Sequence, residues 1–423
     1  MNILDVFRTP AARVPVPTAS EPGIRDIPDP DEVVIPLEFR QGLVLPPVVQ
    51  AGDKVRRHQV IGQAEGGISV HASMAGTVQE IQRVWTAAGD HVAAVVIRKA
   101  DGLKSEDSPP DPECARAQGR ATRLQLLRAG GVVSPWTTTD DDPTAKVFQH
   151  LVVLGHDVEP TQHVQELLIQ ERTPALIKGL RLLRDLAPGA TIAMTVPQHL
   201  IDWAQENLGP ELNLLPVSEQ YRHRLDRTLV AKLTGVTVPG RTPYTSRGVG
   251  VMTAEAVMAA HDAQEGRPMV RKTLTISGVG APRPVTVRVP LGTKVRDVLA
   301  AVGLDIQEAG RVLAGGPMRG VALFTDETPV DKFQHGIHLL PEAHIPAEVN
   351  RICVNCGRCV RACPVHLQVH LIGRCAEFDQ LNEALNHHPE ACFECGLCAF
   401  VCPAGRPLVQ LVKLARMHAR RSA

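Results

Sequence analysis

The 423 residues predict a multidomain chain of mixed α/β and α+β class: a barrel-sandwich β module, an α/β layer domain, a β-grasp-like unit and a helical domain built around two metal clusters. Three observations predict it. Short valine-rich strands with glycine turns fill the first hundred residues, helix and strand alternate through the middle, and nine of the ten cysteines fall in the last quarter. The length suits about three domains at roughly 100–200 residues each.

Residues 1–103 form the first expected module. QAGDKVRRHQVIG (Gln50–Gly62) and VHASMAGTV (Val70–Val78) read as the two sides of a biotinyl/lipoyl-type hairpin, with Gly52-Asp53 and Gly76 at tight β connections. The tip between them, AEGGIS, has no lysine to carry a swinging cofactor, so the module is expected to be structural. Residues 104–118 are rich in Pro, Asp, Glu and Ser and read as a linker, with Cys114 as a surface thiol.

Residues 119–268 alternate TRLQLLRAG, FQHLVVLGHD, VQELLIQERTPALIKGLRLLRDL and TIAMTVP. Leu151–Leu154 is a short, β-branched apolar run of the kind a buried parallel strand needs. The segment around Leu167–Leu186 keeps helical apolar spacing, and together these predict an α/β layer domain. In residues 269–345, TLTISG, PVTVRVPLGTKVRDVLAAVGL and RVLAGGPMRG give strand, strand, helix, strand.

Residues 346–423 hold CVNCGRCVRACP from Cys353 and CFECGLCAFVCP from Cys392, both Cys-x2-Cys-x2-Cys-x3-Cys-Pro. This is the bacterial two-cluster ferredoxin run, whose fourth cysteine ligates the other cluster. Three thiolates on a tight loop cap three irons of a cube, and the fourth iron faces away and takes a ligand from elsewhere. Cys353, Cys356, Cys359 and Cys402 are therefore expected to hold one [4Fe–4S] cluster, and Cys392, Cys395, Cys398 and Cys363 the second. Structural zinc wants two separated ligand pairs and leaves the third cysteine of each run idle, and disulfide scaffolds are short, secreted and evenly studded with cysteine. Gly357 and Gly396 follow equivalent cysteines as permissive loop positions. Cys375, in HLIGRCAEFDQLNEAL, reads as a core residue of a helix. The closing segment PLVQLVKLARMHARR reads as an amphipathic basic helix whose Lys413, Arg416, Arg420 and Arg421 form a solvated face, or a dock for an acidic or membrane-bound partner.

Composition narrows the function. Hydrophobic residues are 44%, charged residues 21%, and Lys+Arg equals Asp+Glu at 45 each, a globular and neutral balance that argues against nucleic acid as the main partner. Aromatics at 3% leave little for base or sugar stacking. No run approaches the ~18 apolar residues of a membrane span, and Asp5 and Arg8 interrupt the place of a secretory signal. A chain that stays in the compartment of its synthesis, peripheral at most to a membrane, is the expectation.

The order of these units resembles the RnfC family, the C subunit of the Rnf electron-transport complex, and is similar to the cobalamin reductase of propanediol microcompartments. GDKVRRHQVIG, VEP (Val158–Pro160), LTGVTVP (Leu233–Pro239), RPMVRKTLTISG, VPLGT, AGGPMRG and PVDKFQHGIHLL carry the resemblance. The central parts also resemble the NADH-binding flavoprotein subunit of respiratory complex I. The resemblance implies a Rossmann-like flavin/NADH-type domain, an SLBB-like β-grasp unit, a ferredoxin-like tail and an electron path between NADH, FMN and two clusters. It further implies partner subunits of a membrane redox complex, a ferredoxin-like or cytochrome carrier, and a cytoplasmic place on the inner face of the membrane.

The flavin elements depart from the family pattern. Its GGAGFP-type loop is replaced by GVVSPWTTTDDDPTAK, where Gly131 persists but Pro135 and Trp136 stand for small residues and Asp140–Asp142 for a phosphate cradle. Its NGAECEP element becomes LGHDVEP (Leu154–Pro160), keeping Glu159, which reads as an ion-paired surface residue and not as a catalytic one, and a Gly/Gln-rich stretch becomes SEQYRHRLDR. FMN and NADH sites are therefore expected to be absent. The leading expectation is a two-cluster electron-transfer subunit; the alternatives are an NADH-oxidising FMN flavoprotein and a docking or assembly subunit with structural clusters.

Overall fold

The computed structural model describes residues 21–40, 43–99, 114, 116, 118–137, 142–240, 242–345 and 352–422. Most of the Ser105–Gln118 linker, together with Asp140 and Asp141, lies outside the described residues; Cys114 is half-buried.

The first strands are β1 (Glu32–Pro36), β2 (Lys54–Val55), β3 (Val60–Gln63), β4 (Ser69–His71), β5 (Gly76–Trp85) and β6 (His91–Lys99). They form an antiparallel sheet in the order β1-β6-β5-β2, faced by the hairpin β3-β4. Val33, Ile35, Ile61, Val70, Val95 and Ile97 close the core between them. Gly76 has no alternative there, because a β-carbon would overlap the Arg98 carbonyl. At the AEGGIS tip Glu65 and Gly66 are exposed, and Arg128 donates to the Gly66 carbonyl at 3.1 Å.

The middle of the chain runs α1 (Arg120–Ala129), β7 (His150–Leu154), α2 (Val164–Glu171), α3 (Thr173–Leu186), β8 (Thr191–Pro197), α4 (Ile201–Leu208), β9 (Asn213–Val217), α5 (Asp226–Thr234), β10 (Val249–Thr253) and α6 (Ala254–Gln264). All four strands are parallel, in the order β9-β8-β7-β10. Leu151 and Val153 join the core under α3 and α6, whereas Val152 and Leu154 pack on the other face with Val230 of α5. Burial on both faces is why this strand reads as an unbroken apolar run. The segment read as one helix is two. The chain leaves helical geometry at Arg172 (φ −116°, ψ 33°), just ahead of Pro174, which has no N–H to continue the preceding ladder.

Next come β11 (Arg271–Gly278), β12 (Ala281–Pro290), α7 (Val295–Ala301), β13 (Arg311–Ala314), β14 (Val321–Ala322) and β15 (Gly336–Leu340). Their sheet is completed by Arg25–Asp26, which pairs parallel to β12, a long-range strand with no local signature in the sequence. Lys272 of β11 is 1% exposed and pairs with Glu255 of α6, locking this sheet to the parallel one.

The tail is helical: α8 (Arg358–Ala362), α9 (Val369–Glu377), α10 (Leu381–Leu385), α11 (Leu397–Phe400) and α12 (Leu408–Ser422). Ile372, Cys375, Ala384, Leu408, Val412 and Ala415 form its core. The basic run on α12 is not simply a solvated face. Arg416 is buried and pairs with Glu394, which Lys413 also approaches at 3.6 Å. The side chains of Arg420 and Arg421 lie outside the described residues. Among the described residues no helix is long and apolar enough to cross a membrane.

Candidate metal centres

Each cysteine run is a loop that turns into a short helix. Cys353 and Cys356 precede α8, which carries Cys359, and Cys392 and Cys395 precede α11, which carries Cys398. Gly357 and Gly396 begin these helices at φ 66° and 80°, left-handed values that a β-carbon opposes. The residue before the second cysteine is also left-handed in both runs, Asn355 at φ 52° and Glu394 at φ 53°. Such paired left-handed turns curl the backbone so that N–H groups face inward, as the Glu394 N–H does, donating to Cys392 Sγ at 3.3 Å.

Cys363 and Cys402 follow the short helices and cross over. After burial, the thiols that raise Cys359 are Cys356, Cys402 and Cys353; those acting on Cys398 are Cys392, Cys395 and Cys363. Cys353, Cys356, Cys359 and Cys402 line one small hollow. Among the described residues no three Cys, His, Asp or Glu side chains converge on a point that would suit a single metal ion; the thiols surround a volume instead.

Burial pushes the Cys359 and Cys395 thiols up to about 11, with neighbouring thiols adding to it. Cys392 and Cys398 are raised for the same reasons. Thiols this reluctant to ionise together become thiolates only around a cationic centre. An all-sulfur donor set around a hollow suits iron–sulfur clusters, so the residues present fit that group.

The two quartets sit in different surroundings. Cys363, Cys395 and Cys398 are buried and Cys392 is half-buried, under a roof built by other parts of the chain. Tyr221, 1% exposed, donates its hydroxyl to the Cys395 carbonyl at 2.7 Å, and a β-carbon on Gly396 would overlap the Met318 carbonyl. In the other quartet only Cys359 is buried. Its loop is fringed by Ile352 (87% exposed) and Val354 (65%).

The roof is anchored at the carboxyl end of β7, between β7 and β10, where the strand order of the parallel sheet reverses. Open α/β sheets bind ligands at such a point. Here Glu159 is 5% exposed and accepts hydrogen bonds from the backbone N–H groups of Met318 and Arg319. It is therefore not a surface residue, as the sequence suggested: the AGGPMRG loop folds over it, and Gly316 has no room for a β-carbon beside it. Burial raises the Glu159 carboxyl against the pull of those N–H groups. Arg319 in turn reaches Asp226 at 3.4 Å. His156, buried, bridges Thr195 and the Arg224 carbonyl at 2.8 Å each, and burial lowers it to about 4. Sequence reasoning missed Tyr221, Met318 and Arg319. The only hint was Pro-Met-Arg set between glycines in AGGPMRG.

The loop after α1 is filled from inside. Trp136 is fully buried, edge-on to Phe148 with ring centres 5.2 Å apart. Gly131 is left-handed at φ 61°, with its carbonyl accepting from Lys332 at 2.6 Å. Asp142 caps a short turn through the Thr144 N–H at 2.8 Å.

Fold and site define an iron–sulfur protein of the dicluster class: residues 352–406 match the family of 4Fe-4S dicluster domains. Residues 17–102 match the RnfC barrel sandwich hybrid domain. The chain is 29% identical over 368 residues to the C subunit of the Na(+)-translocating ferredoxin:NAD(+) oxidoreductase complex of Acetobacterium woodii, covering 84% of this chain and 82% of that one. The C subunit of the ion-translocating oxidoreductase complex of Rhodobacter capsulatus is 28% identical, over 82% of this chain and 70% of that one. Its counterpart in Pseudomonas aeruginosa is 30% identical over 85% of this chain, which spans about half (49%) of its length. Over most of its length the chain is thus similar to the C subunits of Rnf complexes.

Proposed function

We propose that the chain is the electron-transfer subunit of an Rnf-like, membrane-associated redox complex, relaying single electrons through two [4Fe–4S] clusters without an FMN or NADH site of its own. Cys353, Cys356, Cys359 and Cys402 hold one cluster in this reading, and Cys392, Cys395, Cys398 and Cys363 the other. When bound, the clusters supply one-electron redox chemistry. The single observation that supports the reading most is Cys402 of the second run lining the same hollow as Cys353, Cys356 and Cys359 of the first.

The chain's own residues hold those quartets in place. Gly357 and Gly396 permit the turns, Arg416 neutralises Glu394 inside the second loop, and Tyr221 and Met318 exclude water from it. Residues 1–103 serve as the barrel-sandwich module, 119–268 as a Rossmann-like scaffold, 269–345 as an SLBB-like β-grasp unit and 346–423 as the ferredoxin-like domain. The protein works on the cytoplasmic face of the membrane, attached through partner subunits. Loss of the flavin is supported by Trp136, which packs where a phosphate loop needs small residues, and by Glu159, which spends its carboxylate on the Met318 and Arg319 N–H groups at the switch point. Oxygen-free protein should contain about eight irons per chain and release no flavin on acid denaturation. Stoichiometric FMN, with NADH-dependent reduction of an artificial acceptor, would establish the flavoprotein reading instead.

A further inference from the structure

The two cysteine runs continue alike beyond their fourth cysteine. Three residues after Cys363 and Cys402 stand His366 (φ 53°) and Gly405 (φ 60°), both left-handed. Three residues further, Val369 and Leu408 open α9 and α12. The second residue of each helix is where the runs part: His370 on α9, Val409 on α12. Val409 is partly buried against the apolar core of the tail, as the inner face of an amphipathic helix requires. A histidine in the same register needs a different reason.

His370 lines the hollow of the first quartet together with Cys353, Cys356, Cys359 and Cys402. Its Nδ1 is shut off from solvent and, among the described residues, has no hydrogen-bond partner. A buried ring nitrogen left unpaired is costly, so its place calls for a group that meets it. The protein supplies none. No carboxylate lines the hollow, and the side-chain oxygen that does, Asn355 Oδ1, accepts from Arg374 at 3.1 Å. What surrounds the hollow is sulfur, and an imidazole N–H is a donor that sulfur can accept.

We propose that His370 donates its Nδ1–H into the sulfur cage of the first quartet and raises the midpoint potential of that cluster alone. The inference rests on the cluster assignment under Proposed function and deepens it. Hydrogen bonds to the sulfurs are among the levers that set an iron–sulfur potential. Such a donor favours the form that holds one more electron, because the added negative charge spreads onto the sulfurs it faces. No bond is made or broken: the proton stays on Nδ1 while a single electron arrives and leaves. Val409, at the matching place in the other run, has no proton to offer. Two sites with the same ligands are thereby given different electron affinities.

The test uses the oxygen-free full chain, assayed first for iron and sulfide, then reduced in steps and followed by electron paramagnetic resonance. The signal lost in Cys402→Ser marks the first cluster. In the unaltered protein, carrying isotopically labelled histidine, pulsed hyperfine spectroscopy of that signal should show a coupled histidine nitrogen. It should also show an exchangeable proton that disappears in heavy water. His370→Phe should abolish both couplings and disfavour the reduced form about tenfold, which lowers that midpoint by about 59 mV for a one-electron couple and leaves the other in place. His370→Gln keeps an N–H donor and should stay closer to the parent than Phe does. A loaded parent without histidine coupling, two midpoints that move together or not at all, or a Gln variant that falls as far as Phe would overturn the proposal. The hyperfine measurement needs no variant, so a Phe chain that fails to load still leaves the proposal decided. A chain that holds no clusters defeats the electron-transfer reading itself, whereas a loaded chain without the coupling defeats only the role of His370.

Discussion

Asp157 gives the most quantitative handle on the switch point. It is 5% exposed, and its carboxylate accepts the Gln165 N–H at 2.8 Å at the start of α2. Burial is the largest influence and pushes the carboxyl up to about 7 from an ordinary 3.8. A carboxyl raised in this way binds its proton more tightly folded than unfolded. Its contribution to stability is therefore fullest below 3.8 and is lost as pH climbs toward 7. At ~1.36 kcal/mol per pH unit the loss is about 2 kcal/mol at about pH 5.5 and about 4 kcal/mol above pH 7. Asp157→Asn keeps an acceptor for Gln165 and carries no charge to bury. It should be the more stable chain at about pH 8, and its advantage should grow by about 2 kcal/mol between about pH 5.5 and pH 8. Guanidinium unfolding of oxygen-free protein at both pH values, followed by far-ultraviolet circular dichroism, measures this directly. An Asn variant that is less stable at pH 8, or that keeps the parent's pH slope, would refute the claim that burial governs this carboxyl.

The remaining predictions concern the tail. Cys402→Ser should lose about half the iron and one of two paramagnetic signals, as should Cys363→Ser with the other signal, while Cys375→Ser, buried beside Ile372 and Leu408, should keep all of it; iron assay and electron paramagnetic resonance decide. Gly396→Ala places a β-carbon at φ 80° against the Met318 carbonyl and should cost about 2–3 kcal/mol, whereas Gly357→Ala at φ 66° meets only the flexible end of Arg361 and should cost less; thermal melts of the two variants compare them. Arg416→Met removes the buried guanidinium that pairs with Glu394, which should destabilise the tail by about 2–3 kcal/mol and lower the midpoint potential of one cluster only, and Glu394→Gln on that background should restore both. A redox titration that moves both clusters equally would contradict that local role.

What the sequence revealed and what it hid follow one physical line. Local chemistry was legible. The spacing of Cys353 to Cys363 and Cys392 to Cys402 describes a loop-and-helix geometry that needs nothing from the rest of the chain, and Leu151–Leu154 announced a strand buried on both faces because both neighbours are apolar. The break at Arg172 was hidden only because apolar spacing continues across Pro174 without regard for its missing N–H. Long-range pairings left no trace. Arg25–Asp26 joins a strand more than 250 residues away, Glu159 finds its donors at Met318 and Arg319, and Arg416 finds Glu394.

Those hidden pairings are also what make the two cysteine runs unequal. From spacing alone they are interchangeable copies, and the nine basic and five acidic residues from Asn350 to Ala423 leave only a modest positive excess. In three dimensions the carboxylates that matter are consumed: Glu377 by Arg406, Glu394 by Arg416, Glu159 by the loop that roofs Cys395. A relay of two identical sites has no inside or outside. Covering one quartet with Tyr221 and Met318 and fringing the other with exposed Ile352 and Val354 creates that distinction, and the cover comes through contacts that no short window of sequence contains.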